Sequence, residues 1–156
     1  MEIKITTFTE TKVAALEHKG PLELVNDSVK TFIEWRKASG LSPLLTSKIF
    51  GIAYDNPDTT APEAFRFDIC GSVLANVPEN PQGVINKTIP GGRCAVARHL
   101  GAHERLGETA TYLYRQWLPD SGEQLRDFPL FFHYLNLKTD TPDHELITDI
   151  YLPLLG

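Results

Sequence analysis

The chain repeats itself. Ala14-Ala15-Leu16-Glu17-His18-Lys19-Gly20 returns as Ala95-Val96-Ala97-Arg98-His99-Leu100-Gly101, an offset of 81 from Gly20 to Gly101. Trp35 with Ser39-Gly40 returns as Trp117 with Ser121-Gly122 at offset 82. Tyr54, Asn56 and Pro62 return as Tyr134, Asn136 and Pro142 at offset 80, and Asp68-Ile69 returns as Asp149-Ile150. Four collinear matches at a nearly constant offset mark a duplication of one unit of about 80 residues. Between the copies lies Val77-Pro78-Glu79-Asn80-Pro81-Gln82-Gly83, whose two prolines and glycine read as a loop. One domain made of two repeats, about 1–78 and 83–156, is expected.

Each copy has the same layout. Residues 12–18 and 93–99 alternate or run apolar and end at a glycine, as strands do. Residues 22–38 place Leu22, Val25, Val29, Phe32, Ile33 and Arg36 on one helical face, and Gly40 ends the helix. Its mate, 103–118, carries Leu106, Ala110, Leu113 and Trp117 and is expected to stop at Pro119. Two strands follow in each copy: Lys48–Tyr54 with Ala64–Leu74, and Pro129–Leu137 with Glu145–Leu154. Their turn-rich connections suit hairpins. Met1–Phe8 and Gly83–Ile89 supply leading strands. The fold class is α+β, a tandem βαββ module with a mostly antiparallel sheet and two helices. Two helices cannot cover both faces of eight strands, so a cleft between the repeats is expected as a ligand site.

Composition removes several functions. Fifteen Lys+Arg against twenty Asp+Glu give a net charge of -5, with no cationic surplus for a nucleic-acid backbone. Apolar runs such as Ile150–Leu155 are too short to span a bilayer, and the N-terminus does not read as a signal peptide. A cytoplasmic location is the expectation. Cys70 and Cys94 form neither CxxC nor a metal pattern, and Cys70 reads as a small core residue. His99 and His103 are split by Gly101 and have no third ligand nearby, so no metal site and no cofactor are expected. There is no GxSxG, and Gly91-Gly92 is a turn signal rather than a phosphate loop. No catalytic residue is assigned.

The aromatic residues carry more. Phe132 with Tyr134, and Asp149 with Tyr151, alternate onto common strand faces. A carboxylate on an otherwise apolar strand needs a donor or a cation, and Arg66 or Arg98 could staple Asp149 into the fold. An aromatic box with one acid also suits a flat organic cation. Trp35 and Trp117 read as core anchors of the helices.

Several stretches together resemble the GyrI-like small-molecule-binding family. They are Glu17-His18-Lys19-Gly20-Pro21, Tyr54-Asp55-Asn56-Pro57, Gly91-Gly92-Arg93-Cys94-Ala95-Val96, Trp117 with Ser121-Gly122, Tyr134-Leu135-Asn136 and Thr148-Asp149-Ile150-Tyr151-Leu152-Pro153-Leu154. That family includes the stand-alone DNA gyrase inhibitory protein and the effector-binding domains of AraC-type and multidrug-responsive activators. The resemblance implies a tandem βαββ fold with a cleft that often receives hydrophobic cations. Its members commonly carry a glutamate two residues before the tyrosine of Tyr-Leu-Asn; Phe132 stands there in this chain. The substitution implies a more apolar pocket and weakens a hydrolase reading. The repeats occupy residues 1–156, so no helix-turn-helix half is expected.

The leading expectation is a stand-alone module that binds a small aromatic or amphipathic molecule. Its ligand residues would be Ile52, Tyr54, Phe132, Tyr134, Asp149 and Tyr151. A gyrase modulator acting by protein contact, or a partner of a transcription regulator, is the alternative. A hydrolase of reactive small molecules ranks third.

Overall fold

The computed structural model describes residues 2–137 and 141–156. Met1 of the first predicted strand, and residues 138–140 of the predicted connection after Leu137, lie outside the described residues. In chain order the strands are β1 (Ile3–Phe8), β2 (Thr11–Lys19), β3 (Ile49–Ala53), β4 (Arg66–Ser72), β5 (Ile85–Ile89), β6 (Gly92–Leu100), β7 (Phe131–Tyr134) and β8 (Ile147–Pro153). Helix α1 (Val25–Ser39) follows β2; α2 (Leu106–Tyr112) and α3 (Leu118–Ser121) follow β6.

The chain divides into a contiguous unit, Glu10–Ile89, and a split unit, Met1–Thr9 with Pro90–Gly156. The division follows from an exchange of leading strands. β1 pairs with β6, Ile3 opposite Ala97 and Phe8 opposite Gly92, while β5 pairs with β2, Ile85 opposite Ala15 and Ile89 opposite Thr11. Each unit is then a four-stranded antiparallel sheet, ordered β3-β4-β2-β5 in one and β1-β6-β8-β7 in the other. The α+β class with antiparallel strands and one helical stretch per copy is as expected.

In the contiguous unit, alternation along β2 sends Ala14 and Leu16 to the helix side, where Phe32, Trp35 and Ile69 meet them. Val25 and Val29 flank this cluster, so the predicted helical stripe does face the core. Burying two aromatic side chains of this size contributes about 1.5–3 kcal/mol each. Gly71 of β4 permits a close approach here: a Cβ would collide with the Ser42 side chain and come within 3.3 Å of the Phe32 ring. Gly71→Ala is expected to destabilise by about 1–3 kcal/mol, the range for overpacking, which urea denaturation would measure.

His18 and His99 do matched work at the helix-side ends of β2 and β6. His18 Nε2 donates to the Gly20 carbonyl (3.1 Å) and its Nδ1 accepts from the Ser28 hydroxyl (2.9 Å). His99 repeats this with Ala102 (3.1 Å) and Thr109 (2.9 Å). Each histidine is thus a staple from strand to helix.

The two helices differ in one turn, and the difference was visible as an offset. α1 runs unbroken, whereas α2 and α3 are joined by a π-helical turn, Leu113–Trp117. The repeat offset is 81 at Gly101 and 82 at Trp117, so the second copy holds one extra residue in this stretch. A π turn absorbs one inserted residue without unwinding the helix. It also corrects the expected stop at Pro119, which occupies the first turn of α3, where a missing N–H costs little. Both helices end instead at glycines in the left-handed region, Gly40 (φ 70°) and Gly122 (φ 75°). Trp35 is 1% exposed, and Trp117, beyond the insertion, is half-buried.

Candidate functional site

On the face of the contiguous sheet away from α1, a carboxylate row is set by register. Glu17 on β2 stands opposite Asp68 on β4, and Asp68 stands opposite Ile52 on β3. Lys87 on β5 is opposite Val13, on the same face as Glu17. Tyr54 follows β3 with the parity of Ile52. Glu17, Asp68, Lys87 and Tyr54 line a cavity of about 260 Å³, together with His18 and with Lys19 and Arg66 at its mouth.

Its centre is a saturated ammonium. Lys87 Nζ lies 2.7 Å from Asp68 Oδ2, 2.9 Å from Glu17 Oε2 and 3.3 Å from the Tyr54 hydroxyl oxygen, so each of its three N–H groups has an acceptor. It also sits 5.3 Å from the centre of the Tyr54 ring, within cation–π range. The Tyr54 hydroxyl donates to Asp68 Oδ2 at 2.6 Å. Asp68 is only 2% exposed, and an unpaired carboxylate at that depth would be costly. The mouth is held by Arg66, which grips Asp55 with both carboxylate oxygens (2.9 and 3.0 Å) and lies 5.6 Å from the Tyr54 ring centre.

This network sets two titrations. Burial, then the hydrogen bond to Asp68 and its charge, push the Tyr54 phenol up to about 12. Burial opposes the Lys87 charge, but its hydrogen bonds to Asp68 and Glu17 outweigh that and hold it above the usual lysine range. Both groups bind their protons more tightly folded than unfolded. Their stabilisation is complete below about pH 10 and is lost as pH rises towards 12 and beyond. Tm is expected to fall over this window, and less steeply in Tyr54→Phe; equal slopes would contradict the assignment.

The split unit solves the matched problem differently. Asp149 is opposite Arg98 and His133, as Asp68 is opposite Glu17 and Ile52. Arg98 therefore replaces Glu17 and binds Asp149 through both oxygens (2.9 and 3.1 Å), the staple that the sequence suggested. Tyr151 stacks on Phe131 at 5.0 Å with the planes 1° apart, and Phe8 meets both rings edge-on. Burial and the Asp149 charge raise the Tyr151 phenol.

Of the six expected ligand residues, Ile52 and Tyr54 lie in the contiguous unit and Phe132, Tyr134, Asp149 and Tyr151 in the split unit. Ile52 is buried beside Asp68 in the register, and Tyr54 lines the cavity. Asp149 and Tyr151 share one face of the split sheet. Phe132, opposite Ile150, and Tyr134, opposite Thr148, are on the other, where the Tyr134 ring lies 5.1 Å from His103. The sequence match of Tyr54 with Tyr134 at offset 80 conceals this. Hydrogen-bond register equates Ile52 with His133, at offset 81, and a one-residue slip turns a side chain to the opposite face. Glu17, Lys19, Arg66, Asp68 and Lys87 were not among the expected site residues. The available signals were Asp68 as the mate of Asp149, and the charge in the alternating series Val13, Ala15, Glu17.

A tandem α+β repeat with a tyrosine-walled, charge-lined cavity on one sheet face has the form of a binding domain. The chain belongs to the GyrI-like family: the profile of the GyrI-like small molecule binding domain matches residues 1–155. It is 49% identical over 154 residues to the probable transcriptional regulator YgiV of Escherichia coli K12, covering 99% of this chain and 96% of that one. A DNA gyrase inhibitor of Salmonella arizonae is 28% identical over 157 residues, with 99% and 98% covered. Among solved structures, the EcmrR C-terminal domain superposes with a TM-score of 0.82 at 19% identity, covering 99% and 98%. SAV2435 bound to tetraphenylphosphonium gives 0.58 at 14%, covering 100% and 95%. At those identities the two structures establish the fold. No helix among the described residues is long and apolar enough to cross a membrane.

Proposed function

We propose that this chain acts by holding a small aromatic or amphipathic molecule in the cavity of the contiguous unit. The observation that carries the reading is the half-open recess of about 260 Å³, with one aromatic ring and convergent charged groups. Tyr54 is retained from the expected set as a direct contact, by ring stacking. Ile52 shapes the sheet behind it. Asp149 and Tyr151, with Phe132 and Tyr134, belong to a second unit whose acid is already tied to Arg98, and their part in binding is a separate proposal. The membership of the family and the ligand-bound neighbour SAV2435 support a binding role.

The test is a thermal-shift panel of planar aromatics of each charge type on the wild type and Tyr54→Ala. Binding to the native state must raise Tm. A shift that Tyr54→Ala abolishes supports the proposal, and a flat response across the panel removes it. The likeness to DNA gyrase inhibitors over 99% of the chain favours a second reading, contact with gyrase. Unchanged supercoiling by gyrase in the presence of the purified chain would remove that one.

A further inference from the structure

We infer that Lys87 fills the cation seat of this cavity from within, so that the site takes aromatic acids and refuses organic cations. The inference rests on the binding role proposed above and names its ligand class. A seat for an organic cation consists of carboxylates beside an aromatic face. That arrangement is present as Asp68, Glu17 and Tyr54, but Lys87 makes all of the contacts a ligand ammonium would make. One oxygen of each lining carboxylate is already taken by this internal charge. An entering cation would have to displace a tethered ammonium with three acceptors already in place, and would meet its repulsion meanwhile.

The mouth points to the opposite charge. Lys19 and Arg66 stand directly opposite each other on β2 and β4, on the same face as the cavity. Like charges in such a cross-strand pair repel. Arg66 is partly neutralised by Asp55, whereas the exposed Lys19 ammonium has no ion pair among the described residues. A carboxylate between the two relieves that repulsion with charge-assisted hydrogen bonds, while its ring stacks on Tyr54.

Isothermal titration with three probes of one shape tests this: 2-naphthoate, 2-naphthamide and (2-naphthyl)methylammonium. The wild type is expected to bind the carboxylate about tenfold more tightly than the ammonium, the scale of one charge-assisted hydrogen bond. Lys19→Ala, an exposed site whose replacement spares the fold, should remove most of that preference and leave the amide unchanged. Lys87→Gln, which keeps a donor to Asp68 but frees the carboxylates of their counter-charge, should bring ammonium binding up by about tenfold. Wild-type preference for the ammonium, or a Lys19→Ala variant with undiminished naphthoate binding, overturns the inference and leaves the binding role standing. Absence of binding by all three probes overturns both.

Discussion

Lys87→Met is expected to lower the stability of the chain by about 3 kcal/mol, and addition of Asp68→Asn to that variant is expected to restore most of the loss. The reason is the depth of Asp68, 2% exposed, against a lysine whose side chain is 24% exposed. Removing the ammonium leaves a buried carboxylate with, among the described residues, the Tyr54 hydroxyl as its side-chain donor. Removing the carboxylate's charge as well leaves an amide that Tyr54 can still serve. The magnitude is placed at the low end for broken buried pairs because the ammonium keeps some contact with water. Urea denaturation of the two single variants and the double variant gives the coupling directly. Additive losses would mean that the pair does not interact, and the account of the cavity built on it would fail.

Trp35→Ala is expected to cost about 4 kcal/mol and Trp117→Ala about half of that. The two residues match in the repeat, so propensity and helix position are nearly controlled for. What differs is packing. Trp35 lies 5.3 Å from the Phe32 ring within the helix-side cluster, almost wholly buried, whereas Trp117 closes the π turn and is half-buried. Large-to-small losses scale with the cavity left behind, and a half-exposed site leaves less of one. Equal losses in chemical denaturation would show that the inserted residue does not loosen the second helix.

Repetition made most of the fold legible. Gly40 at the end of the first helix and the alternation in β2 and β6 each mark an element, and the matched stretches of the second copy repeat the strand and helix. Legibility ended where the copies differ by one residue. The step from 81 to 82 in offset is a π turn, and the tyrosine match at offset 80 lies one position off the strand register. Strand faces invert on such a slip, and Tyr134 and Phe132 lie on the sheet face opposite to Asp149. The cavity was missed for another reason. Lys87 lies in Ile85-Asn86-Lys87-Thr88-Ile89, where a lysine on a short strand reads as a solvent charge. Only its pairing with β2 shows that it reaches inward to Asp68.

The exchange of leading strands imposes an order on synthesis. Translation delivers the N-terminal segment first, yet β1 has no strand to join until β6 has been made. The contiguous unit is complete once Ile89 has left the ribosome, and its sheet can close with the cavity formed. The split unit waits for β8, and it must then capture a strand synthesised at the outset. A nascent chain stalled with Ile89 just clear of the ribosome would therefore carry the cavity of the contiguous unit already assembled, while its earliest residues were still unpaired.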